Sequence, residues 1–285
     1  VAASHLRVGT FQFFAARGET EKVRQLADYA IARHYPVLAE AQHPYLEFLR
    51  TVCQRQAALL AKWMTVGFVH GVMNTDNMAI SGETIDYGPC AFIDAYDRKA
   101  VFSSIDQHGR YAFGNQPTIA QWNLARLAET LLPLIDDNEA EAIRLATIEI
   151  QAFAEEYTGF WLDAMRAKLG LVTTSAQDLD LVNGLYEAME GQQVDFTQLF
   201  RSLSQAVLGN SAPARLLFAD DTKFVAWLAQ WQTRIATEAV RPEARAQAMN
   251  AVNPIYIPRN HKVEEALQTA VAGDLSKFEQ LLAVL

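Results

Sequence analysis

The chain has 285 residues, 51% hydrophobic and 20% charged, with 24 Lys plus Arg against 33 Asp plus Glu and a formal charge of −9. This is the composition of a globular protein with a sizeable core, without the clustered basic surface that nucleic acid or an anionic membrane requires. No run approaches the ~18 apolar residues of a membrane span, and Cys53 and Cys90, with no CxxC and no zinc-like spacing, suit a reducing compartment.

The first residues, Val1 to Arg7, carry neither an initiating Met nor a signal-peptide pattern, and read as the interior of a longer chain. Val23, Leu26, Ala27, Ala30 and Ile31 have helical spacing and predict a helix from Thr20 to about Arg33, stopped by His34-Tyr35-Pro36. A longer helix is predicted from Tyr45 to about Thr65, with Leu46, Leu49, Val52, Cys53, Leu59, Leu60 and Trp63 on its apolar side. Residues 66–98 are rich in turn formers and read as loop and hairpin. From Gln116 the pattern is helical again, with Pro133 closing the first helix. Glu139 to Leu169 reads as one long helix or two. Helices are predicted at about 176–190, 196–208 and 220–237, followed by an extended segment at Asn253–Pro258, where each proline disfavours helix before it, and two short final helices. The class is mainly α with one short β-hairpin near residue 80. Trp63, Trp122, Trp161, Trp227 and Trp231 fall on apolar helical faces and are expected in the core.

The stretch from Val69 to Pro89 carries the chemistry. His70 and Asn77 have the separation of the kinase catalytic loop H-R-D-L-x-x-x-N, and Asp86-Tyr87-Gly88 stands where kinases have D-F-G. In kinases that Asn and that Asp hold the metal ions on the nucleotide phosphates. Met78-Ala79-Ile80 and Thr84-Ile85 flank Ser81-Gly82-Glu83, which predicts a hairpin bringing Asn77 and Asp86 together at its open end. An amide oxygen and a carboxylate there are hard ligands suited to Mg²⁺ or Mn²⁺ on phosphates, and Gly88 lets the chain turn sharply behind them. The kinase base aligns with Val72, which accepts no proton. Asp76 is the only carboxylate between His70 and Glu83, and two tasks are open to it: accepting the proton of an attacking hydroxyl, or ordering that hydroxyl beside the metal. His70 is expected to hold the loop by hydrogen bonding, Asp94 and Asp97 to lie on a solvated loop, and Arg110 and Arg259 to pair with buried carboxylates.

The segments Ser4-His5-Leu6-Arg7-Val8-Gly9-Thr10-Phe11, His70 to Met78, Thr84 to Pro89, Gln107 to Tyr111, Asn115-Gln116-Pro117, Trp122-Asn123-Leu124, Asn253-Pro254 and Ile257 to His261 together resemble the selenoprotein O (YdiU) family across nearly the whole chain. The resemblance implies a protein-kinase-like fold that binds ATP flipped and transfers AMP to Ser, Thr or Tyr hydroxyls of proteins. It implies Asp76 as catalytic proton acceptor, Asn77 and Asp86 as ligands of Mg²⁺ or Mn²⁺, and Arg7 together with Asp86 on the nucleotide; an Arg fork suits phosphate. It further implies residues 1–169 as a kinase-like C-lobe bearing the metal loop and 170–285 as a family-specific helical extension. The Gly-rich loop and the nucleotide lysine belong to an N-lobe before Val1, and the family's tail lies beyond Leu285, so these residues alone are expected to be inactive. The expected place is the cytoplasm, or the mitochondrial matrix in a eukaryote. The expected partners are ATP and protein substrates, with no nucleic acid and no membrane. The competing readings are an inactive pseudokinase scaffold, UMP transfer from UTP, and, third, a true kinase.

Overall fold

A computed structural model describes residues 2–285; Val1, where the expected C-lobe begins, lies outside them. As the periodicity predicts, the described residues are mainly helical, and they fall into two compact units.

The first unit comprises the segments up to Trp63, His70–Cys90 and Val101–Trp161. Its helices are α1 (Val8–Ala15), α2 (Thr20–His34), most of α3 (Pro44–Val66), α4 (Gln116–Ile135) and the larger part of α5 (Glu139–Lys168). Helix α1 packs on α2 and α4. The fully buried Phe11 of α1 lies 6.0 Å from Phe48 of α3, and Tyr35 approaches Phe48 to the same distance. Burying side chains of this size contributes about 2–3 kcal/mol each relative to exposure, which decides where α1 and α3 sit. Pro133 does not close α4; the helix continues to Ile135. A proline in the last turn removes only one intrahelical bond, and the helix outlasts it. Helix α5 is a single uninterrupted element.

The second unit comprises Met64–Val69, Ala91–Ala100 and Leu162–Leu285. Strand β1 (Phe68–Val69) pairs antiparallel with β2 (Ala91–Phe92), Phe68 opposite Phe92. Helices α6 (Asp178–Met189), α7 (Phe196–Val207), α8 (Ala212–Arg215), α9 (Thr222–Ala236), α10 (Pro242–Val252), α11 (Asn260–Val271) and α12 (Ser276–Val284) follow. Asp195 caps α7 by accepting from Gln198 N–H at 2.8 Å. Trp227 and Trp231 stack 5.7 Å apart in this unit's core, their indole N–H groups donating to the Leu181 and Leu169 carbonyls. Trp63 is buried as well, whereas Trp122 is 44% exposed, contrary to its expected place in the core.

The short antiparallel pair is not where the sequence pattern puts it. Residues 78–85 form no ladder of their own, and the paired strands instead stand at the two ends of the 70–90 loop. The reason is competition for backbone partners. Val8 N–H donates to Met78 O at 3.0 Å and Ile80 N–H to Leu6 O at 2.8 Å, so Arg7 pairs with Ala79. Gln56 Nε2 donates to Ala79 O, the Tyr35 hydroxyl donates to Ile80 O, and the His70 ring occupies Ile85 O. With these groups satisfied by other partners, Met78–Ile80 has no need of Thr84–Ile85.

Candidate active site

Residues 70–90 form an irregular loop within the first unit, held by side chains that include Gln56 of α3 and Gln116 and Asn123 of α4. At its start His70, fully buried, donates its N–H to Gln116 Oε1 of α4 at 2.9 Å. Its Nε2 lies 2.8 Å from Ile85 O and its Nδ1 3.4 Å from Val72 N. A carbonyl only accepts and an N–H only donates, so the neutral Nε2–H tautomer serves both contacts. Burial lowers the His70 pKa, partly opposed by the bond to Ile85 and the charge of Asp86, and keeps the ring in that neutral form. His70 therefore ties the backbone just before Asp86 to the backbone at Val72, as the structural role predicted for it requires.

Asn77 ends a 3₁₀ turn, Thr75–Asn77, whose start is held by Asn77 N–H on Asn74 O at 3.0 Å. The Asn77 amide nitrogen donates to Val72 O at 2.9 Å. That bond orients the amide and leaves Oδ1, which accepts no hydrogen bond among the described residues, available as a ligand. Asp86 is exposed and adopts φ 59°, one of two non-glycine residues in the left-handed region among the described residues. Its carboxylate likewise accepts no hydrogen bond among the described residues. A strained backbone at such a position is tolerated where surrounding contacts over-determine it, and here the flanking Ile85 is buried and held by His70.

Asp76 is exposed and stands against the start of α1. A Cβ placed on Gly9 would lie 2.0 Å from Asp76 Oδ1. Arg7 is the N-cap of that helix, extended at φ −122° and ψ 155°, and paired through its backbone with Ala79. One short backbone pairing thus brings Arg7 beside the turn carrying Asp76 and Asn77. Glu83 accepts from Ser81 Oγ at 2.7 Å and from Ala3 N–H at 2.9 Å, which hold its carboxyl below the ordinary range. It lines the recess that contains Asn77 and also the open groove that contains Asp86.

An amide oxygen and a carboxylate are donors of the kind a divalent cation on phosphates takes. Among the described residues no three His, Cys, Asp or Glu side chains converge on one point, and an ion that takes one or two protein oxygens and completes its shell with phosphate and water needs no such cage. Asn77 Oδ1 and the carboxylates of Asp76 and Asp86 accept no hydrogen bond among the described residues.

Gln56 stands outside the family-like motifs, and the motif that contains Asn123 does not by itself disclose that residue's task. Gln56 continues the apolar stripe of Leu49, Val52, Cys53 and Leu60, and Asn123 that of Ile119, Ala120, Leu124 and Leu127. A polar residue inside an apolar stripe signals a buried hydrogen-bonding task. Gln56 takes Ala79 O, and Asn123 Nδ2 donates to Met73 O at 2.9 Å. Arg110 pairs with no carboxylate among the described residues; its guanidinium lies 4.9 Å from the Trp122 ring centroid. Arg259 does form ion pairs, with the partly exposed Asp94 and Asp195, both at 2.7 Å.

A family model described as "Protein adenylyltransferase SelO" matches residues 1–285. The chain belongs to the SelO family. Proteins named "Protein nucleotidyltransferase YdiU" share 56% identity with it in Rhizobium johnstonii, over 288 residues, and 57% in Cereibacter sphaeroides, over 285. Another from Rhizobium rhizogenes shares 55%. All of this chain is covered in each, and 57–58% of each relative, so the chain spans a little over half the length of these SelO-family proteins.

Proposed function

We propose that this chain carries the catalytic loop of a metal-dependent protein adenylyltransferase, which moves AMP from ATP to Ser, Thr or Tyr hydroxyls of protein substrates. The observation that carries the proposal is the loop itself. Asn77 Oδ1 and the Asp86 carboxylate are left uncommitted on a scaffold fixed by His70, and Asp76, exposed, precedes Asn77 in the chain. Names of relatives at 55–57% identity support the same reaction class. Residues 1–169 act as a kinase-like C-lobe in this reading, and 170–285 as its helical extension.

The acceptor hydroxyl approaches Asp76, which takes its proton as the oxygen attacks the α-phosphorus. The bond from that phosphorus to the bridging oxygen breaks, and pyrophosphate leaves. Arg7, anchored on Ala79, holds phosphate oxygens by charge-assisted hydrogen bonds. Asn77 and Asp86 hold Mg²⁺ or Mn²⁺, which neutralises charge on the phosphates when bound. At the kinase base position, Val72 uses its N–H toward His70 and its carbonyl for Asn77. That position is structural here, and phosphorylation through it is excluded by chemistry.

No helix among the described residues is long and apolar enough to cross a membrane. The lost base at Val72 also favours a second reading, a pseudokinase scaffold that binds nucleotide without turnover. Intact protein incubated with ATP labelled separately at the α- and γ-phosphates decides between them. Label entering protein from the α-phosphate alone is the expected result, competition by UTP tests UMP transfer, and label from the γ-phosphate alone or from neither overturns the proposal.

A further inference from the structure

We propose that Gly9 is a positioning residue that seats the Asp76 carboxylate, and that it is glycine for this reason rather than for backbone freedom. The proposal rests on the reading of Asp76 as proton acceptor. A Cβ on Gly9 would stand 2.0 Å from Asp76 Oδ1, 3.0 Å from its Cγ and 3.3 Å from its backbone nitrogen. The first of these is a collision with the carboxylate itself. The last leaves little room for the whole residue to step aside.

Conformation gives no other reason for a glycine here. Gly9 is the second residue of α1 and is absent from the glycines with positive φ, such as Gly67 and Gly71. In a helix glycine is the poorest ordinary residue and alanine the best. The helix therefore bears a weak residue at the one point where a carboxylate rests on it.

Both sides of the contact are fixed. Leu6–Val8 is paired with Met78–Ile80 through Val8 N–H on Met78 O and Ile80 N–H on Leu6 O. Cα–Cβ bonds in a helix tilt toward its N-terminus, so the missing Cβ marks the N-terminal side of Gly9. The Asp76 carboxylate thus occupies the end of α1 where the helix dipole favours an anion. The seat sets the distance between the proton acceptor and Arg7, the helix N-cap.

The test is Gly9→Ala in the intact protein, alone and combined with Asp76→Ala. Helix propensity alone predicts that Gly9→Ala raises the melting temperature and leaves turnover untouched. The seat predicts a fall in kcat of roughly 10–100-fold, within the share a positioned general base contributes, with KM for ATP unchanged. In the Asp76→Ala background the added methyl meets no carboxylate, so it costs no further activity and raises the melting temperature. Wild-type kcat in Gly9→Ala, multiplicative losses in the double variant, or equal stabilisation in both backgrounds each overturns the proposal. The melting comparison needs no turnover. If wild-type protein transfers no α-phosphate label, the functional reading fails while the coupling of positions 9 and 76 still decides the seat.

Discussion

In the proposed reaction three side chains of the loop have separate tasks. Asp86→Ala removes a carboxylate that the proposed function places on the metal, so transfer of α-phosphate label is expected to be abolished. Asn77→Ala removes the proposed amide ligand, along with its bond to Val72 O, and excess Mn²⁺ is expected to restore part of the rate through tighter binding to the remaining ligand. Asp76→Ala is expected to leave nucleotide binding intact, measured by calorimetry, while slowing transfer about 10²–10⁴-fold. A separate residue-scale effect concerns Lys168 at the end of α5. Burial lowers its pKa to about 7, and its ammonium lies 4.2 Å from the Phe200 ring centroid. Between about pH 7 and 10.5 the unfolded chain holds this proton and the folded chain does not, so this group makes stability rise with pH across that window. Lys168→Met is expected to raise the melting temperature most at pH 6–7 and to flatten the rise toward pH 10.

At the scale of elements, the catalytic loop has little regular structure of its own and depends on polar side chains that helices project into it. Gln116 and Asn123 of α4 hold His70 and Met73, and Gln56 of α3 holds Ala79, each at 2.7–2.9 Å. Removing such a partner takes a hydrogen bond from a buried backbone group, at a cost of about 1–3 kcal/mol where no other partner remains. Gln56→Leu keeps the apolar stripe of α3 while leaving Ala79 O only the longer bond from Gly82 N–H, at 3.2 Å. The expected outcome is a lower melting temperature, together with faster amide hydrogen exchange at Val8 and Ile80, whose bonds frame Ala79. Unchanged exchange at those amides would show that the Leu6–Val8 pairing holds the loop without α3.

For the molecule as a whole, the second unit is organised around a buried ionic network rather than apolar contacts alone. Asp178, with no exposed side-chain surface, accepts from Arg166 Nε at 2.7 Å and Arg234 Nε at 2.9 Å. Glu238 accepts from Arg234 and Arg245 and from the Val172 and Thr173 amides. Burial pushes the Glu238 carboxyl up, but the bonds from Thr173 and Arg245 outweigh it and bring the pKa down to about 2. Taking one carboxylate from a buried set leaves cations uncompensated. Asp178→Ala is expected to destabilise the protein by about 3 kcal/mol in denaturant titrations, with Asp178→Asn intermediate because the amide oxygen still accepts one guanidinium bond.

Family membership, the mainly helical class, most helix positions and the identity of the loop were legible in the sequence, because each rests on local spacing. The 3.6-residue periodicity marks α2 and α3, and His70, Asn77 and Asp86 keep a fixed separation along one short stretch. Helix α1 escaped notice because its eight residues are too few to display a face, and α10 because its residues alternate alanine with charge, although Pro242 at its start is a recognisable signal. What only tertiary structure decided is the partner of each backbone group in the loop. Met78–Ile80 has the pattern of a hairpin arm with Thr84–Ile85, yet it pairs with Leu6–Val8, more than seventy residues earlier. A strand pattern specifies which face is apolar and says nothing of which segment answers it. That choice follows from the packing of α1, α2 and α3, which delivers Leu6–Val8, Tyr35 and Gln56 to the same carbonyls and amides.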